Sequence, residues 1–336
     1  MKNEKFDLRD ISIVPTIQSN INSRSECNVT YGGLLPLMAA PMDTVICKDN
    51  VKTFADVGIV PCLPRGEYIQ NDKAFHSYGL NEIEFELQCS LKSNMFKNKW
   101  ILIDIANGHM TRLLNVVKKI KKDYPNINLM VGNVAHPLTY KNLAMAGADY
   151  IRIGIGGGMG CTTAANVAIN YPMGSLIHEC RKIKNEFNLK TSIVADGGMQ
   201  GYDDIIKSLA IGADFCMIGS LFNKAMQSSG SNHLYGMKIP YDLAKTLWKW
   251  GFPVKKKYRG MSTKAVQRKW GKTKLVTAEG ITKYQKVEYN LTQWVENFSD
   301  YLKSNMSYCG ARNLQEFIGE VEWIYITNNA LLRFNK

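Results

Sequence analysis

The sequence predicts a closed parallel barrel of the (β/α)8 or TIM type, and three observations carry that expectation. Short apolar runs recur eight times along the first two thirds of the chain. Helical patterns stand between many of them. Glycines and polar residues gather just after nearly every run, where a barrel of this kind keeps its chemistry. A doubly wound open sheet is the alternative arrangement for the same alternation.

The runs are Leu37–Ala40, Ile59–Leu63, Phe85–Cys89, Trp100–Ala106, Leu129–Val134, Tyr150–Ile155, Thr191–Ala195 and Phe215–Ile218. They are rich in Ile, Val, Met and Leu and do not alternate with polar residues. Strands buried on both faces read this way. Between them, residues 111–124 place Leu114, Val117, Ile120 and, less strictly, Tyr124 on one helical face with lysines opposite. Residues 137–147 open on Pro137 and stop at Gly147, the usual start and stop signals. Residues 174–187 and 202–212 behave alike. After the eighth run the chain is too long for one closing helix. Residues 223–287 read as a long excursion from the barrel top, expected to be mobile and functional. Residues 290–304 and 311–324 read as closing helices, so that 1–336 makes one catalytic barrel domain.

Composition narrows the function. Of the chain's 336 residues, 45% are hydrophobic and 10% aromatic, which excludes wholesale disorder. No run reaches the roughly 18 apolar residues of a membrane span. The first residues lead into no apolar segment, so no secretory signal is expected. Net charge is +13, and residues 238–287 alone hold fourteen Lys and Arg against Asp242 and Glu279. A block of this sort serves nucleic acid, a membrane surface or an anionic small substrate, or is simply a solvated face. The eight cysteines are scattered without a Cys-x-x-Cys pair, which fits a reducing cytosol and supports neither disulfides nor zinc.

The strand-end residues carry the chemistry. Pro41-Met42-Asp43-Thr44 follows the first run and Pro64-Arg65-Gly66 the second. The fourth carries Asp104 and leads to Asn107-Gly108-His109, and the fifth ends in Gly132-Asn133-Val134. Asp196-Gly197-Gly198 and Gly219-Ser220 follow the seventh and eighth. The sixth run enters the sharpest feature, residues 154–160, with five glycines in seven positions. Such a loop admits positive φ and close approach to a ligand, and can offer backbone groups to ions. It lacks the Gly-Lys-Ser/Thr of a phosphate-binding P-loop and the position of a dinucleotide fingerprint. It delivers Cys161, followed by Thr162 and Thr163. A cysteine on a glycine hinge can act as a nucleophile, and a thiol packed at a helix start is the alternative.

These residues reach a family. The sequence resembles the IMP dehydrogenase and GMP reductase family across nearly its whole length. The resemblance runs through residues 6–11 and 23–25, Ala39-Ala40-Pro41-Met42-Asp43-Thr44-Val45, Asp104-Ile105-Ala106-Asn107-Gly108 and Gly132-Asn133-Val134. It continues through 154–163, Ala195-Asp196-Gly197-Gly198, 212–220, Tyr258-Arg259-Gly260-Met261-Ser262 and Ala278-Glu279-Gly280. It implies that Cys161 attacks C2 of a purine nucleotide and that a nicotinamide cofactor exchanges hydride with that carbon. It further implies that Asp196 holds the ribose, that Gly198, Gly219 and Ser220 hold the phosphate, and that Arg259, Gly260, Met261 and Ser262 line the nucleotide. Asp104, Asn107, Asn133, Gly154 and Gly156 fall beside the nicotinamide. Backbone groups at Gly156, Gly158 and Cys161 can take a monovalent cation such as potassium. A homotetramer is implied. A cytoplasmic setting without a membrane partner is expected, and nucleic acid is the less favoured partner beside a purine nucleotide.

The reductase branch is favoured, with NADPH as cofactor. No regulatory insert interrupts the barrel, and the stretch from Met261 to Glu279 is short and lacks the Arg-Tyr pair that activates water in dehydrogenases. Ala278-Glu279-Gly280 looks like the reductase segment, which makes Glu279 and Thr163 the acid/base pair for departing ammonia. Arg65 stands where the reductases have a catalytic lysine, keeping the charge but not the readily lost proton. Met159 stands where the family has a phosphate-binding serine, and Val276 and Ile281 replace an arginine and a lysine. These departures suggest a modified or deoxy guanine nucleotide, or a phosphate held through Lys255–Lys257 or Arg259. IMP oxidation with NAD and a non-catalytic nucleotide-binding barrel are the alternatives.

Overall fold

The computed structural model describes residues 4–69, 73–89, 95–97, 99–269, 271, 274 and 277–334. The N-terminal strand β1 (Ile11–Ile13) lies outside the barrel. Eight parallel strands then follow: β2 (Leu37–Ala39), β3 (Val60–Leu63), β4 (Phe75–Tyr78), β5 (Trp100–Asp104), β6 (Asn128–Val134), β7 (Tyr150–Ile153), β8 (Ser192–Asp196) and β9 (Phe215–Ile218). Each pairs with the next, and β9 pairs back onto β2 through Met38 and Met217. That closing ladder excludes the open sheet.

Strand side chains alternate between two apolar layers. Met38, Val60, Cys62, Phe75, Leu102, Met130, Val194 and Met217 fill the barrel. Phe75, Trp100, Tyr150 and Phe215 plug its lower end with ring contacts of 5.0–6.3 Å. The outward residues, such as Ile101, Ile103, Ile151 and Ile193, pack under the helices. Parallel strands buried on both sides are why the runs do not alternate.

One strand differs from the expectation. Phe85–Cys89 is not the third strand: it falls on the helix Leu80–Gln88, with Cys89 as its C-cap and Phe85 66% exposed. Leu80 and Ile83 are its buried residues and Leu87 packs beside them, a helical spacing. The Glu82 carboxylate accepts the Gly79 N–H at 2.8 Å and caps its start. The strand is β4, Phe-His-Ser-Tyr, whose polar His76 and Ser77 are buried within it. Burial pushes His76 down to about 4, so it is neutral there.

The helices Thr111–Asp123, Pro137–Met145, Met173–Glu186 and Tyr202–Ala210 follow the expected segments. In the first, the buried stripe is Leu113, Val116, Val117 and Ile120, with Leu114 only partly covered. The last expected helix, 311–324, is not continuous. Only Leu314–Phe317 is helical, Gly319 turns with φ +74°, and β14 (Trp323–Tyr325) pairs antiparallel with β1. A longer helix, Leu291–Cys309, precedes it.

The excursion after β9 carries its own antiparallel sheet. Its strands are β10 (Asn232–Leu234), β11 (Met237–Ile239), β12 (Lys255–Arg259) and β13 (Thr282–Lys286), in the order β11-β10-β12-β13. Lys256 is 1% exposed, and its ammonium donates to Ser228 O at 2.7 Å. Burial pushes its pKa down to about 7.

Candidate active site

The loop after β7 is held in place by glycines that accept no side chain. At Gly154, with φ +125°, a Cβ would collide with Asp196 O at the end of β8. The loop then folds over Gly197–Gly198, where Gly198 opens onto free space. Cys161 N donates to Gly158 O at 2.9 Å and closes the turn that carries the thiol.

The excursion clamps this turn. Ile281 N donates to Gly160 O at 3.0 Å, Thr162 N to Glu279 O at 2.8 Å, and Gly260 N to Ile281 O at 3.0 Å. A short ladder therefore joins Cys161 to Gly280. A Cβ on Gly260 would collide with Gly160 O, and one on Gly280 would lie 2.9 Å from Ser262 Oγ. Three backbone segments thus cross at glycines beside Cys161.

The crossing aligns a chain of hydrogen bonds. Cys161 Sγ–H donates to Thr163 Oγ1 at 3.2 Å, and Thr163 Oγ1–H donates to Glu279 Oε2 at 2.5 Å. Cys161 is partly exposed, as a nucleophile must be. Beside it, Thr162 Oγ1 is buried without a partner.

Next to this chain lies a buried charge network at the strand tops. Arg152 donates to Asp104 Oδ1 at 2.5 Å and to Asp196 Oδ2 at 2.8 Å. Asn133 Nδ2 donates to the same Asp196 oxygen at 2.7 Å and to Gly154 O at 3.0 Å. Burial works against the charge of Arg152, but Asp196 and Asp104 outweigh it and hold its pKa above the ordinary value. The arrangement fixes both carboxylates at the barrel mouth. Sequence reasoning missed Arg152. Its signal was a lone charge in Tyr-Ile-Arg-Ile, at the same parity as the inward Tyr150.

Comparison with known proteins gives the family. A family model described as the IMP dehydrogenase / GMP reductase domain matches residues 94–333. The chain belongs to the IMP dehydrogenase / GMP reductase family. It is 31% identical to a protein named GMP reductase from Streptococcus suis, over 96% of each chain. It is 27% identical to human GMP reductase 2, over 96% of this chain and 94% of the other. An inosine-5'-monophosphate dehydrogenase from Chlorobaculum parvum is 34% identical over 69% of this chain and 46% of its own.

Within the family frame, other expected residues take these places. The Asn107 side chain accepts the His109 N–H at 3.0 Å, and Gly108 packs against Asn133, its N–H donating to Asn133 O at 2.8 Å. Arg65 leaves β3 and donates to Glu82 at 2.5 Å, with its guanidinium against Gly79. Arg259 is held by both carboxylate oxygens of Asp43. Lys256 is committed to Ser228 O, so of the three lysines only Lys255 and Lys257 can reach an outside phosphate. Gly219 packs near Met42 Sδ and the Tyr258 hydroxyl, with Ser220 next in the chain. Tyr258 is 3% exposed, and burial, with Asp196 and Cys161 nearby, pushes its hydroxyl pKa up. Met261 and Ser262 are partly buried, and Ser262 Oγ lies beside Gly280. Met159 is 38% exposed, and Val276 lies outside the described residues. Gly158 O already accepts the Cys161 N–H.

Proposed function

We propose that the protein is a GMP reductase-like oxidoreductase that converts a guanine nucleotide, GMP or dGMP, to the hypoxanthine nucleotide and ammonia with NADPH. The observation that carries this reading is the Cys161–Thr163–Glu279 chain, because a departing amine needs a proton delivered beside the thiol.

In this reading the Cys161 proton passes through the Thr163 hydroxyl to the Glu279 carboxylate, and the thiolate bonds to C2 of the purine. The same two residues return the proton to the 2-amino group, and the C2–N bond breaks with loss of ammonia. Asp196, oriented by Arg152 and Asn133, accepts the ribose hydroxyls. Gly198 and the Gly219–Ser220 turn take the phosphate. The partnerless Thr162 Oγ1 and the open space at Gly198 fit bound ligands at this mouth. Asp104, Asn107, Asn133, Gly154 and Gly156 would hold the nicotinamide end of NADPH. When bound, NADPH supplies the hydride that reduces C2, and the C2–S bond to Cys161 then breaks to release product. The eight free cysteines fit a cytoplasmic setting, and a homotetramer is the expected assembly.

The test is absorbance at 340 nm with NADPH and either GMP or dGMP, for the native chain and Cys161→Ala. Loss of NADPH that requires both nucleotide and Cys161 supports the reading and ranks the two sugars. NADH formation from IMP and NAD, with no reaction of the guanine nucleotides, would overturn it in favour of a dehydrogenase.

A further inference from the structure

The outer face of the excursion sheet has a composition that the reductase reading does not use. Strand register places Lys238 opposite His233, His233 opposite Lys255, and Lys255 opposite Lys286. One straight row across four strands thus holds three lysines and a histidine. In the next row Lys257 stands opposite Tyr284, whose ring meets the His233 ring edge-on at 4.8 Å. Tyr284 is 51% exposed, and Lys238, Lys255 and Lys286 are exposed.

Like charges directly opposite one another on a sheet are unfavourable. A balanced surface would intersperse carboxylates. Here the four strands contain no Asp or Glu. Among the described residues none of Lys238, Lys255, Lys257 and Lys286 has a carboxylate within ion-pair distance. The charge lacks an internal partner, so an external anion relieves the repulsion. The aromatic pair adds a second preference, for a flat unsaturated ring beside the charges.

We propose that this sheet face binds single-stranded nucleic acid. Three inter-strand gaps of about 4.8 Å spread the lysine row over roughly 14 Å. That span matches successive phosphates on one strand better than the single phosphate of a mononucleotide. An exposed tyrosine paired with a histidine can stack an unpaired base, and a positive surface with interleaved aromatics is how sequence-tolerant single-strand binders work. In the sequence the lysine run leaves nucleic acid, a membrane surface, an anionic substrate and a solvated face all open. Register turns it into an ordered row.

The test is fluorescence anisotropy of a labelled 15-nucleotide single-stranded DNA with the full chain, across a salt series. Four engaged lysines give a log–log salt slope of about −2.8, at roughly 0.7 per phosphate neutralised. The double variant Lys238→Glu/Lys286→Glu is expected to lower affinity at least tenfold and flatten that slope, with NADPH oxidation by the nucleotide substrate unchanged. The second of these substitutions sets a carboxylate opposite Lys255 in place of a like charge, so the fold should be kept. The neutral pair Lys238→Gln/Lys286→Gln, judged by circular dichroism, checks this. Tyr284→Ala is expected to weaken binding several-fold without changing the slope. Affinity unaltered in the lysine variants would overturn the proposal. So would equal affinity for duplex DNA with no effect of Tyr284→Ala, or displacement of the oligonucleotide by NADPH at its working concentration, which would assign the face to the dinucleotide.

Discussion

Replacing Glu279 with glutamine separates two roles for the carboxylate. The side chain keeps its shape and can still accept from the Thr163 hydroxyl, now 2.5 Å from a charged oxygen. If Glu279 only strengthens that bond, the loss is bounded by a charge-assisted hydrogen bond, about 1.5–3 kcal/mol. At about 1.4 kcal/mol per decade, that is roughly 10- to 150-fold in rate. If Glu279 also carries the thiol proton to the leaving amine, its loss costs about 10²–10⁴-fold. The expected outcome of Glu279→Gln is a fall of about 10³-fold in kcat for GMP reduction, with KM little changed. The reaction from IMP and NADP+ still needs the Cys161 thiolate but protonates no leaving amine. Its pre-steady-state burst of NADPH should therefore fall much less than GMP reduction does. The assay is stopped-flow absorbance at 340 nm in both directions. Equal loss of both reactions would refute the assignment, and so would a fall below 10-fold in the deaminating direction.

Three further outcomes follow from the packing. Gly260→Ala puts a methyl group against Gly160 O at the crossing, and is expected to lower kcat by at least tenfold while the far-ultraviolet circular dichroism stays native. Arg152→Met leaves Asp104 and Asp196 buried without their cation, and should destabilise the protein by about 3–5 kcal/mol in urea unfolding at neutral pH. Lys256 is buried and titrates near 7, against its ordinary 10.5. Between those values the unfolded chain holds a proton that the folded one lacks. Stability should thus rise with pH across that window by about 1.4 kcal/mol per unit, the penalty being fully present below pH 7. Lys256→Met should remove this slope, as read by urea midpoints from pH 6 to 10.

The barrel was legible where burial on both faces wrote itself as unbroken apolar runs, and seven of its strands lie on such runs. The eighth, β4, was hidden because His76 and Ser77 are polar residues in a buried strand. The Phe85 run imitated a strand because alternating glutamates broke up a helical stripe. The excursion sheet could not be read, since its strands are lysine-rich and β12 pairs with a partner more than twenty residues on. At the candidate site, the glycine loop and Cys161 stood out locally, and the resemblance brought in Glu279. The Asp43–Arg259 pair joins positions 216 apart, and no local pattern records it.

The glycine crossing also sets a schedule. During synthesis the eight barrel strands are complete once Ile218 has emerged, and domains generally fold as units from the N-terminal side. Gly160 O has no Ile281 N–H to accept until some sixty residues later. A nascent chain can therefore own a barrel before the Gly160–Ile281 clamp exists, and the turn carrying Cys161 is fixed only when nearly all of the protein has been made.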